Sequence, residues 1–159
     1  PARMREMIRL NCEALVLLAH AFLPDLRAAR DGVLLNVASA AAFQATPYMS
    51  LYGATKAFVL SFSEALAEEQ REAGVYVGVY CPGPVETEFG EVAGTGRRFG
   101  RVPAVLTADE AAQEALAQID RRAVVYVPTA VYRLTSTAVR FMPRAIVRRL
   151  SALAHREEK

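Results

Sequence analysis

Apolar positions along the chain change period several times, and each change marks an element. From Met4 to about Ala28, residues Met7, Ile8, Leu10, Ala14, Leu15, Leu17 and Leu18 recur at helical spacing and give one wide apolar face. Asp31-Gly32 signals a turn, and Gly32–Ala38 (GVLLNVA) follows as a continuous apolar run, the pattern of a fully buried parallel strand. Ser39–Ser50 reads as a loop with Pro47 as breaker, and Leu51–Ala73 as a long helix ended by the C-cap signal Gly74. Val75–Cys81 (VYVGVYC) is a second buried strand, stopped by Pro82-Gly83-Pro84. Residues 84–106 hold six glycines and prolines and predict a long loop; loops of that length inside compact domains are usually functional. Thr107 with Glu110 predicts a capping box that opens a helix over about Ala108–Asp120. Ala123–Val127 is a third strand, and residues 129–156 form one or two amphipathic helices broken at Pro143. Helices and strands therefore alternate, which predicts an α/β fold with a parallel sheet and no internal repeat.

Length and composition narrow this picture. A chain of 159 residues is enough for one domain and not comfortably for two, and 53% apolar residues can bury a sizeable core. The net charge of +2 makes no case for nucleic acid. Its distribution is uneven: residues 1–120 carry −5 and residues 121–159 carry +7. The basic tail, VYRLTSTAVRFMPRAIVRRLSALAHR, interleaves arginines with apolar residues, so it can lie on an anionic membrane surface, cover a substrate cleft or present a solvated face. Cys12 and Cys81 sit in apolar runs and read as buried free thiols. Without a CxxC, and with His20 and His155 far apart, no metal site is expected. PARMREMIRLN does not read as a signal peptide, and Ala14–Leu23 is shorter than the roughly 20 residues a bilayer span needs. The expectation is a soluble, cytoplasmic chain, with peripheral membrane association as the alternative the tail raises.

The candidate chemistry centres on Tyr52 and Lys56. Four residues apart on a predicted helix, they share a face, and of the six tyrosines only Tyr52 has a basic residue at that distance. A free phenol titrates near 10; an adjacent ammonium favours phenolate and is expected to draw that value toward neutrality, where the group can give or take a proton. A Tyr-x-x-x-Lys pair also arises by chance on solvated helix faces. Ser39 adds weight because it directly follows a buried strand, where parallel α/β sheets place ligands, although a loop serine making a local turn bond would look the same.

The stretch LLNVASAAAFQATPYMSLYGATKAFV resembles the active-site segment of the short-chain dehydrogenase/reductase family. In that family a serine lies thirteen residues before the tyrosine of a YxxxK motif, as Ser39 lies before Tyr52. Asn11, in MIRLN, matches the family's catalytic helix asparagine, and CPGPVETEF (Cys81–Phe89) resembles its P-G loop. Over about residues 4–127, the resemblance implies a Rossmann-like, doubly wound parallel sheet of which this sequence holds the C-terminal part. Residues 1–127 would be the catalytic part of one domain and 128–159 a basic amphipathic helical tail. It implies NAD or NADP as cofactor and a carbonyl or secondary alcohol as substrate. Tyr52 would be the general acid/base and Lys56 would tune it and bind the nicotinamide ribose. Ser39 would hold the substrate oxygen, and Asn11 a water of the proton relay. Pro82, Gly83, Val85 and Thr87 would line the nicotinamide end.

The family's Gly-rich cofactor turn and Asn-Asn-Ala-Gly motif are absent from this sequence. Gly94-x-Gly96-x-x-x-Gly100 has the wrong spacing and context to replace them. About four further strands would precede residue 1, and the strand at 32–38 would present an open apolar edge. Residues 1–159 alone are therefore expected to bind cofactor poorly, and the choice of NAD or NADP is unreadable. Phe43, Met49, Phe89 and Phe99 point to an apolar or acyl substrate, or to ordinary core packing. Helices 4–28 and 51–73 match those that pair subunits in the family, and Ala54, Ala57, Ser61 and Ala65 form a small-residue stripe for an oligomer contact or for packing on the chain's own sheet. Two alternatives stand beside the reductase. A truncated relative kept as a binding or regulatory partner fits the missing Gly-rich turn. A sugar-nucleotide epimerase or dehydratase shares the Tyr-Lys pair, but the Ser–Tyr interval and the P-G loop favour the reductase.

Overall fold

The computed structural model describes residues 1–29, 31–87 and 104–155. In chain order these form helix α1 (Ala2–Ala28), strand β1 (Val33–Val37), helix α2 (Ser50–Gln70), strands β2 (Tyr76–Tyr80), β3 (Val85–Glu86) and β4 (Leu106–Thr107), helix α3 (Ala108–Arg121), strand β5 (Val125–Tyr126), and helices α4 (Ala130–Ala138) and α5 (Arg144–His155). The main sheet is parallel, in the order β1-β2-β5, with Val33 opposite Tyr76 and Val79 opposite Val125.

Strand β2 is buried on both faces, and its alternation shows what covers each. Val75 and Val77 meet Ala19 and Leu23 of α1 and Leu66 of α2, while Val79 and Cys81 meet Val59 and Leu60 of α2. Each fully buried valine or leucine contributes roughly 1.5–3 kcal/mol. Tyr76 and Gly78 face the other way, toward α3, where Tyr76 donates from its hydroxyl to the Ala123 carbonyl at 2.8 Å. Helices thus cover both faces, as in a doubly wound sheet. Asn36, the polar residue within β1, is buried but satisfied: its amide donates to Ser63 Oγ at 2.9 Å, and that hydroxyl donates to the Val59 carbonyl at 2.7 Å. Among the described residues β1 pairs only with β2, leaving Val33 and Val37 exposed at an open edge, so β1 is not the fully buried strand its apolar run predicts.

Element bounds agree with the periodicity to within a few residues, with four differences. The first helix starts at Ala2 and carries a π-type turn at Arg9–Glu13, where the Ala14 N–H reaches the Arg9 carbonyl. At 27 residues it is long and apolar enough to cross a membrane, but here Ala19 and Leu23 pack it against the sheet. The second helix ends at Gln70 rather than Ala73, and the chain turns through Gly74 at φ 74°. The loop after β1 contains a 3₁₀ turn, Ala40–Phe43. β3 and β4 pair in parallel as a small second sheet that two-residue strands cannot announce by alternation. Thr107 and Glu110 form the capping box reciprocally, and α4 and α5 are separated at Pro143. The stripe on α2 faces outward, with Ala54, Ser61 and Ala65 exposed, so it does not pack on the chain's own sheet.

Candidate active site

The site lies at the carboxyl ends of β1 and β2. Ala38 N–H donates to the Tyr80 carbonyl and Ala40 N–H to the Pro82 carbonyl, both at 2.8 Å, so the chain leaving β1 is fastened to the chain leaving β2. Between them Ser39 is extended, and its Oγ accepts the Ala41 N–H at 3.1 Å, opening the 3₁₀ turn. The loop then folds over the first turn of α2. A Cβ placed on Gly53 would stand 1.9 Å from Thr46 Oγ1, so glycine there permits the approach. That approach brings Ser39 to Tyr52, whose phenol it hydrogen-bonds.

One turn further along α2, Lys56 extends beside the tyrosine, with Nζ 5.9 Å from the Tyr52 ring centroid. The ammonium donates to the Val37 carbonyl at 2.9 Å, at the end of β1. Asn11, within the π-type turn of α1, donates from Nδ2 to Thr55 Oγ1 at 3.0 Å, and Thr55 donates in turn to the Tyr52 carbonyl at 2.8 Å. π-Type turns recur at functional sites because they redirect a side chain without ending the helix. The sequence did not point to Thr55; its position three residues after Tyr52 and just before Lys56 was the available signal. Nor did it show the Val37 carbonyl as the acceptor for Lys56, since a backbone group carries no residue signature.

The electrostatics correct one expectation. Burial pushes the Tyr52 phenol above its ordinary value, and the Ser39 hydrogen bond offsets this only in part. Burial also draws the Lys56 ammonium below its ordinary value, against the pull of the Cys81 and Cys12 sulfurs. The lysine does not lower the tyrosine toward neutrality here, because both groups are partly desolvated and the ammonium is taken up by Val37. Cys81, behind Ser39, is pushed up to about 12, mainly by burial and then by Glu64. It is a buried free thiol, as its apolar run predicts, whereas Cys12, within the π-type turn of α1, is only half-buried, against the same prediction.

The P-G loop runs beside this cluster. Pro82 is buried, Gly83 and Val85 are half-buried, and Thr87 is exposed. Phe89, Phe99 and the glycines at 90, 94, 96 and 100 lie outside the described residues. Phe43 and Met49 are half-buried, and Phe43 packs with Tyr132 against the cluster around Val79 and Cys81. Tyr132 of α4 lies directly over Gly83, where an added Cβ would come within 2.3 Å of the ring. Gly83→Ala is therefore expected to destabilise the fold by about 1–3 kcal/mol through overpacking, and Tyr132→Ala in the same chain should recover part of that loss. Denaturant unfolding of the two single variants and the double variant measures the coupling; additive losses would refute the contact.

Among known proteins, the short chain dehydrogenase family model matches residues 1–98. Rat (Rattus norvegicus) 17-beta-hydroxysteroid dehydrogenase type 3 is 33% identical over 112 residues, covering 70% of this chain and 35% of that protein. Mouse (Mus musculus) very-long-chain 3-oxoacyl-CoA reductase is 32% identical over 89 residues, covering 56% and 28%. Among solved structures, a short-chain dehydrogenase from Sphingobium yanoikuyae in complex with NADPH superposes with TM-score 0.72 at 31% identity, covering 95% of this chain and 56% of that one. A short chain dehydrogenase from Burkholderia cenocepacia in complex with NADP gives 0.78 at 25% identity, covering 92% and 58%. The chain spans about a third of the length of the curated relatives and little more than half of the solved structures. The family match over more than half of the chain, on a parallel sheet wound by helices on both faces, places this protein in the short-chain dehydrogenase family.

Proposed function

We propose that this chain carries the proton-transfer machinery of an NAD(P)-dependent oxidoreductase that interconverts a ketone and a secondary alcohol. The observation that carries the reading is the convergence of the Ser39 hydroxyl, the Tyr52 phenol and the Lys56 ammonium at the carboxyl ends of β1 and β2. The residues fit the nicotinamide end of the cofactor. Lys56 and Tyr52 offer an ammonium and a hydroxyl suited to a ribose diol, and Val85 with the Pro82-Gly83 turn offers an apolar wall. Among the described residues no Gly-rich turn leads from a strand into a helix, so the fit covers that end alone. The bound cofactor supplies or accepts hydride at the reacting carbon.

Tyr52 gives a proton to the carbonyl oxygen during reduction and takes it back during oxidation. Ser39 donates a hydrogen bond to the same oxygen as negative charge develops on it. Asn11 acts through Thr55, fixing the backbone of the turn that aims Tyr52 and serving the proton relay from the edge of the site. Phe43 and Met49 beside the loop support an apolar substrate. The names of two relatives, one for a 17-beta-hydroxysteroid and one for a very-long-chain 3-oxoacyl-CoA, agree with that class. The outer face of α1, with Leu10, Leu17, Leu18 and Phe22 exposed, and the outward small-residue stripe of α2 support a homo-oligomer formed through these helices.

The pH dependence tests the reading. Because burial holds Tyr52 above its ordinary value, the phenol is the form present at neutral pH. Reduction uses the phenol and should be flat from neutral pH until the raised value is reached, then fall. Oxidation needs the phenolate and should climb about tenfold per pH unit over the same range. Measuring kcat/KM in both directions on the full-length polypeptide, by nicotinamide absorbance with a ketone panel, checks this. A flat oxidation profile across the neutral to alkaline range would remove the proton-transfer role from Tyr52. No turnover on any ketone would favour the binding-partner or epimerase alternatives.

A further inference from the structure

We infer that α4 and α5 form a docking surface for an anionic lipid bilayer. No acidic residue occurs between Asp120 and Glu157, while eight arginines do. The helices are also turned against the ordinary rule of burial. Their inward residues include Ser136 and Ser151, at 5% and 8% exposure, beside the buried Val147, whereas Leu134 of α4, Leu153 of α5 and Phe141 in the 3₁₀ turn between them are 71%, 68% and 84% exposed. A helix held only by its own fold would turn the leucines in and the serines out. On α5, Ile146, Leu150 and Leu153 recur at the spacing of one face, and all three are exposed. Arg149 stands three residues after Ile146 and four before Leu153, so it flanks that stripe, where its charged head can reach a phosphate while its stem lies along the apolar face.

Chemistry and topology both bear on the occupant. Further strands of a longer sheet would add at the open edge of β1, whereas α4 follows β5 on the opposite edge. The tail's own contacts run inward, through Tyr132 on Gly83 and Arg140 over the Phe43 ring at 5.8 Å. A nucleic acid or an acidic protein would engage the arginines but leave Phe141, Leu150 and Leu153 in water. An anionic bilayer satisfies both sets of side chains, with the apolar stripe in the acyl boundary and the arginines among the headgroups.

Vesicle co-sedimentation of the full-length polypeptide tests this. Vesicles of phosphatidylcholine mixed with phosphatidylglycerol should bind at least about tenfold more tightly than phosphatidylcholine alone, and added salt should weaken the binding. Ile146→Ser with Leu153→Ser should lower binding about tenfold, as should Arg148→Gln with Arg149→Gln. These side chains are exposed, so circular dichroism should show the fold unchanged. Absence of vesicle binding, equal binding to neutral vesicles, or unchanged binding by either variant would overturn the inference. So would self-association of the protein that the apolar variant abolishes while lipid binding stays absent, because the surface would then belong to a second copy.

Discussion

Replacing Tyr52 by phenylalanine in the full-length polypeptide should lower kcat by about a thousandfold and leave cofactor affinity and KM nearly unchanged. On the proposed mechanism the phenol exchanges a proton with the substrate oxygen, and such groups contribute roughly 10²–10⁴ in rate. Phenylalanine keeps the ring, so the packing of α2 against the loop over Thr46 survives. The Ser39 hydroxyl loses a partner but keeps the Ala41 N–H at 3.1 Å. The proton route is removed together with one hydroxyl offered to the ribose, which Lys56 still holds, so the effect should fall chiefly on kcat rather than on binding. Steady-state kinetics with fluorescence titration of the cofactor separates the two. Turnover within tenfold of the parent would reassign the proton to another group, and a large loss of cofactor affinity would make Tyr52 chiefly a binding residue.

The largest expected loss of stability lies on the opposite face of the sheet. Gln118 of α3 is fully buried, and its amide donates to the Ala123 carbonyl at 2.8 Å and the Val79 carbonyl at 3.2 Å, joining α3 to β2 and to the start of β5. Gly78 leaves room for it: a Cβ there would lie 3.0 Å from the amide nitrogen. Gln118→Ala removes these bonds and opens a cavity, which together should cost about 3 kcal/mol. For a chain of this size that lowers Tm by roughly 6–12 °C. Thermal unfolding followed by circular dichroism measures it, and a shift below about 2 °C would mean that water replaces the amide at no cost.

What was legible in the sequence depended on whether a signal was local. The strand VYVGV declared itself because a parallel strand covered on both faces must be apolar at nearly every position; VLLNV was legible as a strand by the same apolar run, although its Val33 and Val37 face outward at the open edge. Glu110, three residues after Thr107, announced the capping box because that box is built within a single turn. The pairing of Tyr52 with Lys56 followed from helical periodicity, and Ser39 from its place just after a buried strand. By contrast, β3 and β4 owe their structure to each other across residues 87–105, and short strands carry too little alternation to be read. Gln118, within an otherwise amphipathic helix, gave no hint that it would be the most deeply buried side chain of α3.

By itself the sequence determined the alternation of elements, the parallel sheet and the identity of the residues that meet at its carboxyl end, since each follows from spacing within one segment. Only the tertiary structure decided how those residues behave together. It set the Val37 carbonyl as the partner of Lys56, linked Asn11 to the tyrosine turn through Thr55, and reversed the expected shift of the Tyr52 phenol. Desolvation is the reason: how far a charge is removed from water depends on what other segments lay over it, and no pattern within one segment records that.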